Sequence, residues 1–383
     1  MPHIPGDEAV AQWREEFPIT ERYIYLNHAG VSPISRRVFD AVRWQAEDAL
    51  YHGVAHGPVW WGRYEEVRDA AAKLFHASPR NIAFVKNTSE GLSFAAAGFP
   101  WREGDEIVTP AMEFSSNRFP WLALRDLGVR TVLVEDENGC VPAEKLIDAC
   151  TPRTRLLAVS AVQFASGYRA DLHALGAACR DRDVFFVVDG IQALGALRLY
   201  PNEVGADLVP ADAHKWMLGP EGVGVAYLSD KAIDTLRVTE VGWHSAADPL
   251  NFSAPDFEFH PDARRFEPGT MPGAFLFGLG AALDLINEVG LELIERRVLA
   301  LSAYARELCE ARDWPVLGSA TPDERSGIVI ARVPGDADEM LRRLKDRSII
   351  AAARAGGIRF APHYYNTTEE IERAIAATAE LAA

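Results

Sequence analysis

Three short stretches of this 383-residue chain carry reactive side chains in places that a small anionic ligand can reach. The first is ADAHKWMLGPEGVG (211–224), in which Lys215 stands between His214 and Trp216, ahead of a Gly-rich turn. An ammonium group has an ordinary pKa of ~10.4, and burial among aromatic rings lowers it toward the range where the free amine is a nucleophile. The plainer alternative is a lysine snorkelling from a strand end. The second stretch is FFVVDGIQALG (185–195), where Asp189 follows four apolar residues and Gln192 comes three residues later. A carboxylate at the end of a central strand can keep a ring nitrogen protonated, so that the ring accepts carbanion electrons; otherwise it caps the next turn. The third is VKNTSEGLSFAAA (85–97), in which Thr88 and Ser89 open a helix with Gly91 in its first turn. Hydroxyls and free N–H groups at a helix start form a phosphate cup, although an ordinary N-cap has the same sequence. Asp189 and Lys215 lie 26 residues apart with one further strand between them, so both open on the same sheet edge. In open α/β sheets, ligands bind there.

The elements that must position these residues can be read from hydrophobic pattern. Strands are predicted at 81–85, 105–110, 131–136, 155–162, 183–190, 206–212 and 222–229, with helical stretches between several of them. Continuous apolar strands alternating with helices indicate an α/β fold with a mainly parallel seven-stranded sheet covered on both faces. GVGVAYLS follows its predecessor after a Gly-rich turn and no helix, so an antiparallel strand is expected there. From about residue 275 the pattern becomes long helix, broken near Gly290, and then a smaller α+β unit. The division expected is a large domain over 20–275 and a small one over 276–383, joined by residues 1–19.

Composition narrows the function classes. Hydrophobic residues make up 48% and charged residues 25%, as in ordinary globular proteins. A formal net charge of −16 argues against a nucleic-acid partner, which needs clustered Lys and Arg. No apolar run reaches the ~18–20 residues of a membrane span. The first residues, MPHIPGDEAVAQWREEF, have acids where a signal peptide is basic and then apolar, so a cytoplasmic location is expected. Cys140, Cys150, Cys179 and Cys309 form no CxxC pair, and neither zinc nor a disulfide framework is expected. A nucleotide-binding rival is weakened by the lack of a G-x-G-x-x-G or G-x-x-x-x-G-K-[ST] run. A non-catalytic relative would show loss of Lys215 or Asp189, and both are present.

Together the three stretches resemble the class V aminotransferase family of fold-type I pyridoxal 5'-phosphate (PLP) enzymes. That family includes cysteine desulfurases, selenocysteine lyases, isopenicillin N epimerase-like proteins and kynureninase. YLNHAGVSP (25–33) is similar to the family's N-terminal substrate loop and EFSSNRFPW (113–121) to the segment that stacks on the cofactor. RFEPGTMP (265–272) resembles the loop whose threonine reaches the partner subunit's phosphate, and IRFAPHYYNTTEEI (358–371) the carboxylate-binding end. The resemblance implies that Lys215 forms the imine with PLP and that Asp189 pairs with its pyridine nitrogen. It places Gln192 on the phenolic oxygen and Phe114 on the ring. Thr88, Ser89, Asp212 and His214 hold the phosphate, with Thr270 serving the neighbouring chain of a homodimer. Arg359 takes the substrate carboxylate, a task suited to a guanidinium fork. Asn27 and His28 join it, and Gln163 and Arg354 fall nearby.

Two departures separate the chain from cysteine desulfurases. Phe114 stands where those enzymes have a proton-relaying histidine. The stretch between the two C-terminal arginines, AGGI (355–358), lacks their mobile cysteine. The expected activity is C–S bond cleavage by β-elimination in a small sulfur-containing amino acid. Transamination and epimerisation are the alternatives, and desulfuration ranks below them.

Overall fold

The computed structural model describes residues 6–382; residues 1–5 of the N-terminal arm and Ala383 lie outside it. A two-residue strand, β1 (Ile24–Tyr25), precedes the strands of the large sheet. These are β2 (Ile82–Val85), β3 (Glu106–Pro110), β4 (Arg130–Val134), β5 (Thr154–Ser160), β6 (Phe185–Asp189), β7 (Leu208–Asp212) and β8 (Gly224–Leu228). Their order is β2-β8-β7-β6-β5-β3-β4. Pairing is parallel from β7 through β4, and β8 runs antiparallel to both of its neighbours. This is the mixed sheet expected from sequence. A short Gly-rich turn joins β7 to β8, and only an antiparallel return is possible over so few residues.

The apolar runs lack alternation because both faces of the sheet are covered. Phe84, Leu157, Phe186 and Val188 point into one apolar layer, while Val85, Leu156, Phe185 and Val187 point into the other. The central strands β5 and β6 are thus locked in register by two cores, and the strand ends that carry chemistry inherit that rigidity.

Beyond the sheet, helices Gly273–Val289 and Leu291–Glu310 meet at Gly290, whose φ of 89° ends the first helix. Three further strands, β9 (Val329–Ala331), β11 (Ala352–Arg354) and β12 (Gly357–Phe360), form an antiparallel sheet in the order β11-β12-β9. Between β9 and β11 in the chain, β10 (Ile349–Ile350) pairs in parallel with β1. The expected division at 275/276 falls inside the helix Gly273–Val289. Leu276, Leu279 and Leu283 belong to the core of the large sheet, and the C-terminal core gathers Leu301 and Ala305 with Ile24 and Leu26. The arm ties the two ends of the chain together: Phe17 stacks on Tyr365 at 4.0 Å and Arg14 pairs with Glu370 at 2.6 Å. Among the described residues, no single helix is long and apolar enough to cross a membrane.

Candidate active site

Strands β5, β6 and β7 end on one edge at Ser160, Asp189 and Asp212, and Ser160 pairs in register with Asp189. Asp189 is enclosed, at 2% exposure, and its Oδ1 accepts from the Ile191 N–H at 2.9 Å. Burial pushes its carboxyl up to about 6, against the opposing pull of that hydrogen bond and of Lys215. Lys215 lies in the turn beyond β7, with Nζ 5.7 Å from the centroid of the Phe114 ring. Burial, aided by Arg359 and Arg354, pulls its ammonium down to about 8, while Asp189 and Asp212 pull the other way. Asp189 and Lys215 share a small inner cavity of about 40 Å³ with Thr88, Ser160 and Gln192. Outside it, a cleft of about 330 Å³ reaches past Ser89 and His214 to Arg354 and Arg359.

The anion end is built on the helix Thr88–Gly98. Its N-cap is Asn87, not Thr88, because the Asn87 side chain accepts from the Glu90 N–H. This leaves the Thr88 and Ser89 side chains free for other partners. Thr88 Oγ1 accepts from the Asp212 N–H at 3.0 Å, and Ser89 Oγ donates to Ser116 Oγ at 2.8 Å. Gly91 lets the helix approach this closely: a Cβ there would sit 2.4 Å from Pro210 Cβ. His214 Nδ1 lies 2.9 Å from Asp212 Oδ1 at an angle that makes no hydrogen bond, and both atoms are buried without a hydrogen-bond partner among the described residues. Buried polar atoms left in this state are costly unless a ligand completes them. A helix start, two hydroxyls and an unsatisfied imidazole suit a phosphate, and an enclosed carboxylate beside a buried amine suits a cationic ring bearing an aldehyde. The residues fit PLP.

At the other end, Arg359 on β12 is 1% exposed. Its guanidinium donates to Asn27 Oδ1 at 3.1 Å and to the Phe164 carbonyl, and its Nε is unsatisfied. Asn27 therefore aims the arginine rather than lining the cleft itself. Arg354 is exposed at the mouth. Gln192 donates one amide N–H to the Ala29 carbonyl and accepts from Trp216 Nε1, which fixes the side chain and leaves its second N–H. Phe114 stays 46% exposed and meets Phe164 edge-on at 5.1 Å, so one flat face remains open. The structure does not bring His28 into the cleft. Its Nδ1 faces the Ala361 carbonyl at 2.8 Å and its Nε2 the Tyr365 hydroxyl at 2.6 Å, so both ring nitrogens are spent on joining the 25–33 loop to the C-terminal segment. Thr270 is exposed and stands apart from this chain's own cleft.

Among the site residues not singled out from sequence are two polar ones from the segment around Phe114. Ser116 lines the cleft and pairs with Ser89. Glu113 is buried behind Phe114, where it binds Ser160 and Gln163. Their only sequence signal was membership of the EFSSN segment next to Phe114.

Comparison with known proteins places this geometry among relatives. The family model described as Aminotransferase class-V matches residues 24–374. A probable cysteine desulfurase of Methanothermobacter thermautotrophicus is 28% identical, over 94% of each chain. The apo structure of a cysteine desulfurase from Thermococcus onnurineus superposes with a TM-score of 0.87 at 26% identity, covering 99% of this chain and 98% of that one. The structure of a cystine C–S lyase with its product, cysteine persulfide, has a TM-score of 0.89 at 24% identity, over 95% and 99%.

Proposed function

Because the chain belongs to the aminotransferase class-V family of PLP enzymes, we propose that Lys215 attaches the cofactor and that the enzyme cleaves a C–S bond in a small sulfur-containing amino acid. When bound, PLP supplies an aldehyde carbon that condenses with amines and a cationic ring that accepts electrons released at a substrate's α-carbon. The Lys215 amine serves for attachment and, once free, takes the α-proton at Nζ; a conjugate acid held near 8 suits both tasks. Asp189 keeps the proton on the ring nitrogen. The Thr88 N–H, Ser89 Oγ and His214 take the phosphate. The Asp212 carboxylate would repel an anion, and its Oδ1 lies 2.9 Å from His214 Nδ1, on the ring and not in the open cleft. Phe114 covers one face of the ring, and Gln192 offers its remaining N–H to the phenolic oxygen. Arg359, aimed by Asn27, holds the substrate carboxylate as a fork.

One observation carries the choice of β-elimination over persulfide transfer. Where a desulfurase needs a mobile thiol, Arg354 pairs with Gly357 and the chain turns through Ala355 and Gly356 alone, with φ of 48° and 75°. That is a tight two-residue hairpin of the I′ kind, and it contains no sulfur. Cys179 and Cys309 are buried and pushed up to about 12, Cys140 to about 11, and none of the four cysteines lines the cleft. Elimination needs only α-proton removal and a sulfur leaving group on Cβ, whose departure breaks the C–S bond. Transamination and epimerisation share the first step and differ in where the proton returns.

The test feeds the PLP-loaded enzyme cysteine, cysteine sulfinate and S-substituted cysteines, and assays pyruvate, ammonia and alanine separately. Pyruvate with ammonia is expected, and replacing all four cysteines by serine should leave turnover largely intact in a variant whose melt shows that it still folds, since Cys179 and Cys309 are buried. Alanine with a cysteine-bound persulfide would overturn the reading, and activity that requires an added 2-oxo acid would replace it with transamination.

A further inference from the structure

Behind Phe114, Glu113 is 3% exposed. Its Oε1 accepts from the Ser160 backbone N–H at 2.7 Å and from Gln163 Nε2 at 2.6 Å, and its Oε2 contacts Ser160 Oγ. All these partners are neutral, and all belong to the end of β5 and the turn after it. Ser160 is also the register partner of Asp189, so a second carboxyl stands close behind the first. Lys215 is the counter-charge felt by Asp189, whereas no cation contributes at Glu113. Two carboxylates in one dry patch, with a cation beside only the first, do not both ionise readily.

We propose that Glu113 is a positioning residue that works as the neutral acid, clamping the Phe114–Ser116 turn to the end of β5 without placing a second negative charge beside Asp189. The carboxyl O–H donates to Ser160 Oγ, and its carbonyl oxygen accepts from the Ser160 N–H and from Gln163. Burial pushes the group up to about 7, against the pull of the Ser160 and Gln163 hydrogen bonds and with a smaller push from Asp189, so the acid is neutral below about pH 7. The clamp fixes two things that the cleft uses: the Phe114 ring near Lys215, and Ser116 Oγ against Ser89. This inference rests on the PLP reading above and extends it to the segment that covers the ring.

The test compares Glu113→Gln and Glu113→Ala with the unaltered protein by PLP titration, the absorption maximum of the bound cofactor, kcat and KM, and thermal unfolding. A glutamine reproduces the neutral acid, with an amide N–H toward Ser160 Oγ and a carbonyl for the other two donors. Glu113→Gln should therefore recover what Glu113→Ala loses. The alanine variant should bind PLP about tenfold or more weaker, as expected for lost buried hydrogen bonds, with a shifted absorption band. If the glutamine variant is as weak as the alanine one, the negative charge is required and the neutral-acid assignment is wrong. If the alanine variant binds PLP normally with an unshifted band, there is no clamp. Should Glu113→Ala fail to fold, Gln163→Ala loosens the clamp from its other side, and unchanged PLP affinity and band there contradict the inference. The unaltered protein is the control: its failure to bind PLP through Lys215 removes the underlying reading, whereas normal binding with indifferent variants removes only this inference.

Discussion

Asp189 is held at the cost of stability. Its carboxyl rises from an ordinary 3.8 to about 6, because the strand end that carries it is sealed from water. The folded value lies above the unfolded one, so the unfolded chain ionises first. Stability is therefore lost as pH rises from about 4 to about 6, and the loss persists above that range. Asp189→Asn should raise the melting temperature of the cofactor-free protein at pH 8, with the gain fading near pH 4. A two-unit shift sets its ceiling at about 3 kcal/mol. The same variant, loaded with PLP, should lose on the order of 10²-fold in turnover, because the ring nitrogen loses its anionic partner. Melts across this pH range and steady-state rates check both halves, and an unchanged melt with near-normal turnover would make Asp189 a turn cap. Asp189 was legible in the sequence because it is polar at the end of an apolar run, and Lys215 because it stands between His214 and Trp216 ahead of a Gly-rich turn. His28 was misread: its fate is decided by Tyr365, 337 residues away, and nothing near YLNHAG announces that partner. Glu113 reads as an ordinary surface acid until Gln163, 50 residues on, closes over it.

Elements with strong periodic signals were legible, and those made by tertiary pairing were not. The seven strands of the large sheet were found to within a few residues, because double-sided burial demands unbroken apolar runs. β10 and β11, two and three residues long, exist only because β1 and β12 pair with them. That 275/276 falls within a helix has a related cause: a helix apolar on most sides reads alike whether it packs on a large domain or begins a small one. Close helix-to-strand packing yields a prediction at this scale. In an exposed helix, Gly→Ala stabilises by about 1 kcal/mol. Gly91→Ala should do the reverse, destabilising by about 1–3 kcal/mol, because its Cβ must push the helix off Pro210 on β7. That shift also separates Thr88 from the Asp212 N–H, so PLP affinity should fall with the melting temperature. A variant that melts higher and binds PLP unchanged would show that the approach of helix to strand is not tight.

At the scale of the whole molecule, large apolar side chains crowd parts of the surface. Leu50, Tyr51 and Val54 stand out at the end of one helix, and Leu250, Phe252 and Phe257 stand out in the loop before Thr270. Exposed apolar patches of this kind mark association surfaces, which supports the proposed homodimer and a Thr270 that serves the neighbouring cleft. Mixing inactive Lys215→Ala protein with an inactive Thr270→Ala variant should then restore part of the activity, since one cleft of each mixed dimer has both residues intact. With subunit exchange verified, no recovery would place Thr270 outside the partner's site. Attachment of PLP at Lys215 underlies every role given to the other residues of the cleft, and it can be tested directly. Incubate the protein with PLP, record the visible spectrum, reduce with borohydride, digest, and locate the added cofactor mass. The account predicts a yellow protein and a label confined to the peptide containing Lys215, lost in Lys215→Ala. A colourless protein, or a label on another lysine, would contradict it.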